Sequence, residues 1–282
     1  MSRSRSLAIF LFRITPTGLL SRLFGCAARI PLPSWALSPI IDWYARKYGV
    51  LTGEIRPGSR FRTLDAFFTR ELAEGARVAD PAKNAVVSPV DARVDMYGAI
   101  DEARILQAKG VDYSLADLVP SDMHRHYLNG LFMTLYLAPG DYHRIHSPVS
   151  GRIAGYHAIP GRLYTVQEYM VKGLPGLFSI NERLISHIKT ERGMVAVCKI
   201  GAMNVGRITL AYAEECTNRT LRRARETRFP EGDGPAIEKG AELGAFHLGS
   251  TVILLFPAGA VKFEDIAPGM KVKMGQKIAR FS

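Results

Sequence analysis

A Gly-Ser-Thr sequence immediately precedes an apolar, β-branched run in residues 247–256, which read HLGSTVILLF. The run predicts a buried strand, which by itself needs neither hydroxyl residue. Glycine leaves the backbone free to bend and its carbonyl open, so the Ser250 hydroxyl can attack the carbonyl carbon of Gly249. The peptide bond would become an ester, and elimination followed by hydrolysis would leave a pyruvoyl group. A turn followed by a core strand is the alternative, because such tripeptides are common in turns.

Two histidines stand three residues apart in the segment DYHRIHSP, residues 141–148. On a strand, His143 and His146 would point to opposite faces, whereas on a turn both could face one site. A metal centre needs at least a third ligand, and Asp141 is the only neighbouring donor, so no metal is expected. A structural role in a β-rich domain is the alternative for both imidazoles.

Asp91 follows a proline in the sequence Pro89-Val90-Asp91, which is typical of a turn. Combined with a histidine and a serine, an aspartate has a chemical role. The histidine removes the hydroxyl proton, and the aspartate fixes the imidazole tautomer and offsets its charge. A lipid-acting serine hydrolase would use the same residue types, but Ser250 lacks the Gly-x-Ser-x-Gly elbow and opens a strand rather than a helix.

The composition indicates a folded protein with an anionic partner. The 282 residues can bury a sizeable core, as one large domain or a domain with an appendage. A formal charge of +11 suits nucleic acid, a membrane surface or an acidic substrate. Nucleic acid is disfavoured, because no helix-turn-helix, zinc-finger or RNP pattern accompanies the charge. Cys26, Cys198 and Cys216 are odd in number and far apart, which favours a reducing compartment over a disulfide framework.

The N-terminal segment is basic and amphipathic. Residues 1–41 contain five arginines and no acidic residue, and their longest apolar run, residues 7–12, is far shorter than the roughly 20 residues that span a bilayer. Helical spacing predicts a first helix around residues 19–27 with leucine and phenylalanine on one face. A second helix is predicted to begin with Ser38 as its cap and Pro39 in its first position.

Three interpretations compete for residues 1–50: core helices, an organellar transit peptide, and helices that lie in the membrane interface. The composition favours the third. Each buried Leu or Phe side chain contributes about 1.5–3 kcal/mol, and each Arg near an anionic surface roughly 1 kcal/mol. A few of each therefore suffice for peripheral attachment.

From residue 51 to residue 282 the sequence predicts one β-rich α+β domain. A helix is expected at residues 63–72. Strands are expected at short runs separated by Gly and Pro, namely residues 86–94, 131–137, 194–200, 207–211, 252–256 and 271–279. Residues 88–94 and 147–153 share one pattern, which predicts two related strand–turn units that pack together.

Residues 268–277 resemble the turn-rich end of a biotinyl or lipoyl carrier domain. This likeness suggests a barrel-sandwich of two packed short-stranded sheets. A carrier commonly places its modified lysine within Met-Lys-Met, whereas here Val272 precedes Lys273, so carriage is disfavoured. A carrier module on a membrane anchor, modified at Lys273 or Lys271, stays an alternative function.

Several separated motifs occur together and in order, and through them the chain resembles the bacterial phosphatidylserine decarboxylases from end to end. The family's self-cleavage motif Leu-Gly-Ser-Thr is present at residues 248–251, and its Asp-Tyr-His-Arg-x-His-x-Pro segment at residues 141–148. Its Pro-x-Asp turn is present at residues 89–91. Ala92 and Gln167 depart from the family, which usually has Gly and Asn there.

The resemblance implies that Asp91, His146 and Ser250 form a self-cleaving triad. Cleavage between Gly249 and Ser250 would give a β chain of residues 1–249 and an α chain of residues 250–282, which stay associated. Ser250 would become a covalent pyruvoyl cofactor that forms a Schiff base with phosphatidylserine. His143, with an unperturbed pKa near 6.5, would protonate the α-carbon after CO₂ leaves, and hydrolysis would release phosphatidylethanolamine.

The resemblance also implies partners and a location. The expected partners are the phosphatidylserine substrate and an anionic membrane surface, without nucleic acid or a metal. A homo-oligomer is left open. The expected location is peripheral, on the cytoplasmic face of the bacterial inner membrane.

Overall fold

The structure of the protein is a computed structural model, which describes Phe12 and residues 15–203, 207–218, 223–247 and 251–282. The predicted cleavage residues Gly249 and Ser250 lie outside the described residues.

The α-helices of the described residues are α1 Thr17–Ala28, α2 Ser34–Tyr48, α3 Leu64–Phe68, α4 Leu115–Leu118, α5 Glu168–Gly173 and α6 Leu177–Ile180. The β-strands are β1 Ala85–Val87, β2 Ala92–Ala99, β3 Arg104–Ala108, β4 Val111–Ser114, β5 Leu131–Tyr136, β6 Arg144–His146, β7 Gly151–Ile159, β8 Arg183–Thr190, β9 Gly193–Ile200, β10 Arg207–Leu210, β11 Arg225–Arg228, β12 Ala236–Ile237, β13 Glu242–His247, β14 Thr251–Phe256, β15 Val261–Phe263, β16 Lys271–Val272 and β17 Lys277–Phe281.

A nine-stranded antiparallel sheet forms the centre of the molecule. Its strand order is β11-β7-β8-β9-β14-β5-β2-β16, and β12 also pairs with β7. The described residues also form three smaller sheets, β1-β17-β15, β10-β13-β6 and β3-β4. The predicted β-rich α+β class is therefore confirmed, whereas the likeness to a barrel-sandwich or to a biotinyl or lipoyl domain stays a prediction.

Strand β14 lies in the interior of the large sheet, between β5 and β9, and is buried along its whole length. Its β-branched and apolar residues suit a strand that is covered on both faces. Thr251 lies opposite Tyr136 of β5 and Ile200 of β9. The predicted cleavage segment immediately precedes Thr251, so the sheet fixes the position at which that segment ends.

The two similar strand–turn units pack against each other, as the sequence predicts. The amide of Val87 donates to the carbonyl of Pro148 at 3.0 Å, and the amide of His146 donates to the carbonyl of Pro89 at 2.8 Å. These backbone bonds bring the turn that carries Asp91 beside the strand that carries His146.

The serine of each unit makes the same local hydrogen bond. Ser88 Oγ donates to the carbonyl of Val90 at 2.7 Å, and Ser147 Oγ donates to the carbonyl of Val149 at 2.6 Å. Both serines are fully buried, so each hydroxyl satisfies a carbonyl that water cannot reach. The sequence similarity of the units therefore has a structural basis in two matching turns.

Helix α1 confirms the first predicted helix. Its small residues are buried and its large apolar residues are exposed, which is the reverse of the pattern in a core helix. It buries small residues, namely Thr17, Ser21, Gly25 and Ala28. It exposes large apolar residues, namely Leu19, Leu20, Leu23 and Phe24. No helix among the described residues is both long and apolar enough to cross a bilayer.

The predicted start of the second helix is wrong. Helix α2 begins at Ser34, directly after Pro33, and Pro39 lies inside it. The amides of Ala36 and Leu37 both donate to the carbonyl of Pro33, so the helix begins five residues earlier than expected. Pro39 has no amide hydrogen, so the helix forms around it with one backbone hydrogen bond fewer.

Two predicted strands are each divided by a turn. The expected strand 86–94 is divided into β1 and β2, because the turn at Pro89 intervenes. The expected strand 271–279 is divided into β16 and β17, and Gly275 between them has φ +86°, which favours glycine. The expected helix 63–72 is confined to α3, which the Thr63 side chain caps by accepting from the amide of Ala66 at 3.0 Å.

Candidate active site

Both ring nitrogens of His146 have partners. Nδ1 lies 2.8 Å from the carbonyl oxygen of Gly240, and since a carbonyl only accepts, Nδ1 carries the proton. Nε2 is then the acceptor of the Tyr142 hydroxyl, at 3.1 Å. Burial lowers the pKa of His146, although the bond to Gly240 and the charge of Asp91 act in the opposite direction. The neutral ring thus presents Nε2 as a base at neutral pH.

Asp91 lies beside this histidine, but its carboxylate is hydrogen-bonded elsewhere. Arg77 donates to it from Nε at 2.8 Å and from Nη2 at 2.5 Å, and the amide of Met274 donates at 2.8 Å. Its hydrogen-bond partners do not include His146, so the expected contact that fixes the imidazole tautomer is made by Gly240 instead. Asp91 acts on His146 through its charge, and the role of both residues in self-cleavage stays a prediction.

His143 is completely buried, with its ring centre 4.1 Å from that of Phe68. Nδ1 donates to the carbonyl of Asp141 at 2.7 Å, and the buried Nε2 has no hydrogen-bond partner among the residues that the structure describes. Burial, and next the positive charge of Arg70, lower the pKa of His143 to about 3. This is well below the unperturbed value on which the sequence-based expectation depends, so His143 is neutral at pH 7 and Nε2 is an acceptor.

Arg70 was not identified from the sequence, yet it holds the backbone that carries His143. Its Nη2 donates to the carbonyls of Gly140 and Asp141, each at 3.1 Å. The residue is only 4% exposed, and its guanidinium carbon lies 5.5 Å from the centre of the Phe67 ring. In the sequence, Arg70 is marked only by its place shortly after two phenylalanines, in residues 67–70, and this pattern has a meaning only once the structure is known.

Two cavities lie on either side of Tyr136, the residue opposite Thr251. The first has a volume of about 470 Å³ and is mainly aromatic and aliphatic, with Tyr44, Phe68, Leu137, Thr165, Gln167 and Tyr169 among its lining residues. The second has a volume of about 280 Å³, and its lining combines apolar residues with charged ones, among them Arg70, Arg77, Asp91, Lys271 and Lys273. Apolar surface together with a few charged groups beside one strand end suits an amphiphilic ligand.

Asp91, His143 and His146 are thus gathered where β5 ends and β14 begins. A buried imidazole with an unpartnered nitrogen, a second neutral imidazole and adjoining cavities are the features of an enzyme's active site. Among the described residues, no cluster of His, Cys, Asp and Glu is able to hold a metal ion. The protein therefore has the site of an enzyme built on an antiparallel α+β scaffold.

Comparisons with known proteins identify the family. The phosphatidylserine decarboxylase family model matches residues 64–280. The chain is 38% identical to the phosphatidylserine decarboxylase proenzyme of Anaeromyxobacter sp. (strain K), over 96% of this chain and 97% of that protein. It is 38% identical to the proenzyme of Alcanivorax borkumensis, over 100% and 98%, and 39% identical to that of Myxococcus xanthus, over 95% and 96%. The chain belongs to the phosphatidylserine decarboxylase family.

Proposed function

We propose that the protein decarboxylates phosphatidylserine to phosphatidylethanolamine and CO₂ on a membrane surface, with a pyruvoyl group made from Ser250 by self-cleavage after Gly249. The observation that carries the proposal is the fully buried, neutral His143, whose Nε2 has no partner among the described residues and whose ring packs on Phe68, a lining residue of the first cavity. The near full-length similarity to phosphatidylserine decarboxylase proenzymes supports it.

The described residues around the cleavage segment suit a pyruvoyl group. Thr251 is buried between Tyr136 and Ile200. The new N-terminus created by cleavage would therefore directly precede a buried strand of the large sheet. The unpartnered Nε2 of His143 offers a hydrogen-bonding nitrogen in the same region. When bound, a pyruvoyl group supplies a carbonyl that condenses with the substrate amine and accepts the electrons released as CO₂ departs.

His143 is proposed to move one proton. In its neutral form it accepts a proton at Nε2 from the substrate's ammonium group and donates that proton to the α-carbon after CO₂ has left. Because the pKa of His143 is about 3, the protonated ring gives up its proton readily, but the neutral ring is a weak base. The proton is therefore accepted only while the negative carboxylate of the substrate lies beside the ring and favours its charged form. Donation from Nδ1 to Asp141 keeps the ring orientation fixed during both transfers.

His146 is proposed to act earlier, as the base for self-cleavage. Its Nδ1–H donates to the carbonyl of Gly240, so Nε2 is the nitrogen that can take the proton of the Ser250 hydroxyl. The hydroxyl of Tyr142 occupies Nε2 in the structure, so it must turn away or pass the proton on. Asp91, held by Arg77, stabilises the imidazolium by its charge.

The two chains are expected to remain associated after cleavage. The proposed α chain supplies β14 to the large sheet, β16 beside β2, and β15 and β17 to the sheet that contains β1. The apolar side chains of β14 are fully buried, and each contributes roughly 1.5–3 kcal/mol. The α chain is thus held by main-chain pairing with the β chain and by the shared core.

The N-terminal helices are proposed to lie on an anionic membrane, at the cytoplasmic face of the bacterial inner membrane. The exposed apolar face of α1 and the exposed rings of Trp35 and Trp43 on α2 support this interpretation over core helices. Apolar side chains turned to solvent beside basic residues are typical of helices that lie in the membrane interface.

The carrier alternative has little support in the geometry. Lys271 lies in β16, paired with Arg93 of β2, rather than at a free hairpin tip. The ammonium of Lys273 lies 3.2 Å from a carboxylate oxygen of Glu54. Neither lysine is presented as a modified carrier lysine would be.

A turnover assay on phosphatidylserine vesicles tests the proposed role of His143. His143→Gln removes the mobile proton, so kcat is expected to fall by about 10²–10⁴-fold while the chain still cleaves. Wild-type turnover by the glutamine variant with full cleavage would overturn the role of His143. Absence of turnover by the cleaved wild-type protein would overturn the proposed activity itself.

A further inference from the structure

Asp65 and His247 form a carboxylate–imidazole pair immediately before the proposed cleavage segment. His247 Nδ1 lies 2.8 Å and 3.0 Å from the two carboxylate oxygens of Asp65, and the two side chains are only 13% and 12% exposed. The other ring nitrogen, Nε2, lies 3.3 Å from Oγ1 of Thr209. The ring is thus held on both sides, and His247 is the last residue of β13.

The pair joins two parts of the chain that the site requires. Asp65 belongs to α3, the short helix whose Phe68 packs on the ring of His143. His247 belongs to β13, in which the amide of Phe246 donates to the carbonyl of His143 at 3.0 Å. A shift of His247 would therefore change the position of the cleavage segment relative to the histidines.

The cleavage segment is short and would be fixed at both ends. Downstream, Thr251 is paired in the large sheet between β5 and β9. Upstream, His247 is only four Cα–Cα steps from Thr251, a reach of at most about 15 Å. The backbone on the two sides of the segment is thus set by β13 and β14, so the orientation of the upstream anchor influences the orientation of the carbonyl that is attacked.

We propose that Asp65 and His247 are positioning residues for self-cleavage, which hold the upstream side of the Gly249–Ser250 bond against α3. This inference rests on the proposed self-cleavage and extends it to a second carboxylate–imidazole pair, separate from Asp91 and His146. The attacking oxygen must lie about 3–3.5 Å from the carbonyl carbon, and a misplacement of about 1 Å slows a reaction roughly 100-fold.

The test follows conversion of the newly synthesised 282-residue chain to its 249-residue product by pulse-chase labelling and denaturing gel electrophoresis. Asp65→Ala removes the anchor and is expected to slow cleavage about 100-fold. Asp65→Asn keeps an acceptor for Nδ1–H and is expected to retain the rate within about threefold. His247→Ala should slow cleavage at least as much as Asp65→Ala, because it also removes the contact with Thr209, and the double variant should be no slower than His247→Ala.

Two controls separate positioning from general loss of structure. Asp112→Ala removes the carboxylate of the Arg104 ion pair in the β3–β4 hairpin and should leave the cleavage rate unchanged. In a Ser250→Ala background, which keeps the chain intact, Asp65→Ala should leave the thermal unfolding midpoint within a few degrees of its parent. The fraction of Asp65→Ala that does cleave should have the wild-type turnover per pyruvoyl group.

The outcomes are distinguishable. Wild-type cleavage rates in both alanine variants would overturn the positioning role and leave the proposed function intact. If Asp65→Asn cleaves as slowly as Asp65→Ala, the positioning role is also overturned, because the hydrogen bond to His247 would then not be enough to maintain the cleavage rate. A wild-type chain that does not break at Gly249–Ser250 would overturn both the self-cleavage and the positioning role.

Discussion

Arg70 and His143 hydrogen-bond to the same oxygen, the backbone carbonyl of Asp141, at 3.1 Å and 2.7 Å. Two donors on one carbonyl place a permanent positive charge near the imidazole. That charge opposes protonation of His143 and, after burial, is the next largest cause of its lowered pKa. Arg70 therefore both holds the loop that orients His143 and adds to the effect of burial on the pKa of the ring.

Replacement of Arg70 by methionine is expected to raise the pKa of His143, which would stay below its ordinary value because burial remains the larger cause. The looser loop should also lower kcat by about tenfold or more, since proton transfer depends on geometry. Arg70→Lys keeps the charge without the planar fork, so it should preserve the lowered pKa better than it preserves kcat. An NMR titration of the histidine rings measures the pKa directly, and an unchanged value in Arg70→Met would contradict the electrostatic role.

Arg77 is expected to be essential for stability, because it is the charged partner of Asp91 in a buried setting. The side chain of Arg77 is 4% exposed and that of Asp91 is 11% exposed. Arg77→Met leaves this carboxylate without its charged partner, which typically costs 3–5 kcal/mol. Urea unfolding of the uncleaved Ser250→Ala chain would measure the loss.

A matched control for Arg77 lies on strand β2. Arg93→Met removes an arginine from the Asp95 ion pair, but its side chain is 44% exposed, so the loss should be at most about 1 kcal/mol. Equal losses for the two variants would mean that burial of the Arg77–Asp91 pair has no special energetic effect.

Lys199 is fully buried in β9, and burial lowers its pKa to about 7. Its ammonium donates to Ser186 Oγ at 2.6 Å. Between pH 7 and the unfolded pKa of 10.5 the unfolded chain binds more protons than the folded chain, so stability rises with pH across this window. Lys199→Met should remove that slope and, after loss of one hydrogen bond, stabilise the protein at pH 7 by roughly 2–4 kcal/mol.

Chemical unfolding of the uncleaved Ser250→Ala chain between pH 7 and pH 10 measures this slope. The same slope in Lys199→Met would show that Lys199 does not cause it. A destabilised variant at pH 7 would show that the buried ammonium contributes more through Ser186 than it costs through lost hydration.

The outward face of α1 is expected to govern attachment to membranes. Leu19→Ser and Leu23→Ser remove exposed apolar side chains, each of which contributes about 1.5–3 kcal/mol on insertion, so each should weaken vesicle binding by about tenfold or more. Val78→Ser, at an apolar residue that is 71% exposed outside α1 and α2, serves as the control. Vesicle flotation with anionic lipid measures binding, and unchanged binding by the leucine variants would contradict the interfacial placement.

The sequence predicts much of this site because its chemistry is local. The spacing of His143 and His146, the turn at Asp91 and the two matching strand–turn units are visible in short segments, and the packing of the units follows from their similarity. The strand after Ser250 is equally visible, because a run of β-branched and apolar residues has few other structures available to it.

The rest depends on contacts between distant residues. Asp65 and His247 are 182 residues apart, and nothing in either segment indicates the other. The lowered pKa of His143 is caused by burial, which depends on how α3 packs against its loop. Nδ1 of His146 was expected to contact Asp91, but it contacts the carbonyl of Gly240 instead. Gly240 lies in a turn 94 residues after His146 in the sequence. Local pattern thus predicts the reactive residues but not the partners that tune them.

Intact mass spectrometry under denaturing conditions detects self-cleavage and the pyruvoyl group together. We expect two chains that separate between Gly249 and Ser250, the smaller carrying a pyruvoyl group in place of its N-terminal serine, whereas Ser250→Ala gives one chain. A single unmodified chain of 282 residues that still decarboxylates phosphatidylserine would show that the reaction needs neither cleavage nor a pyruvoyl group.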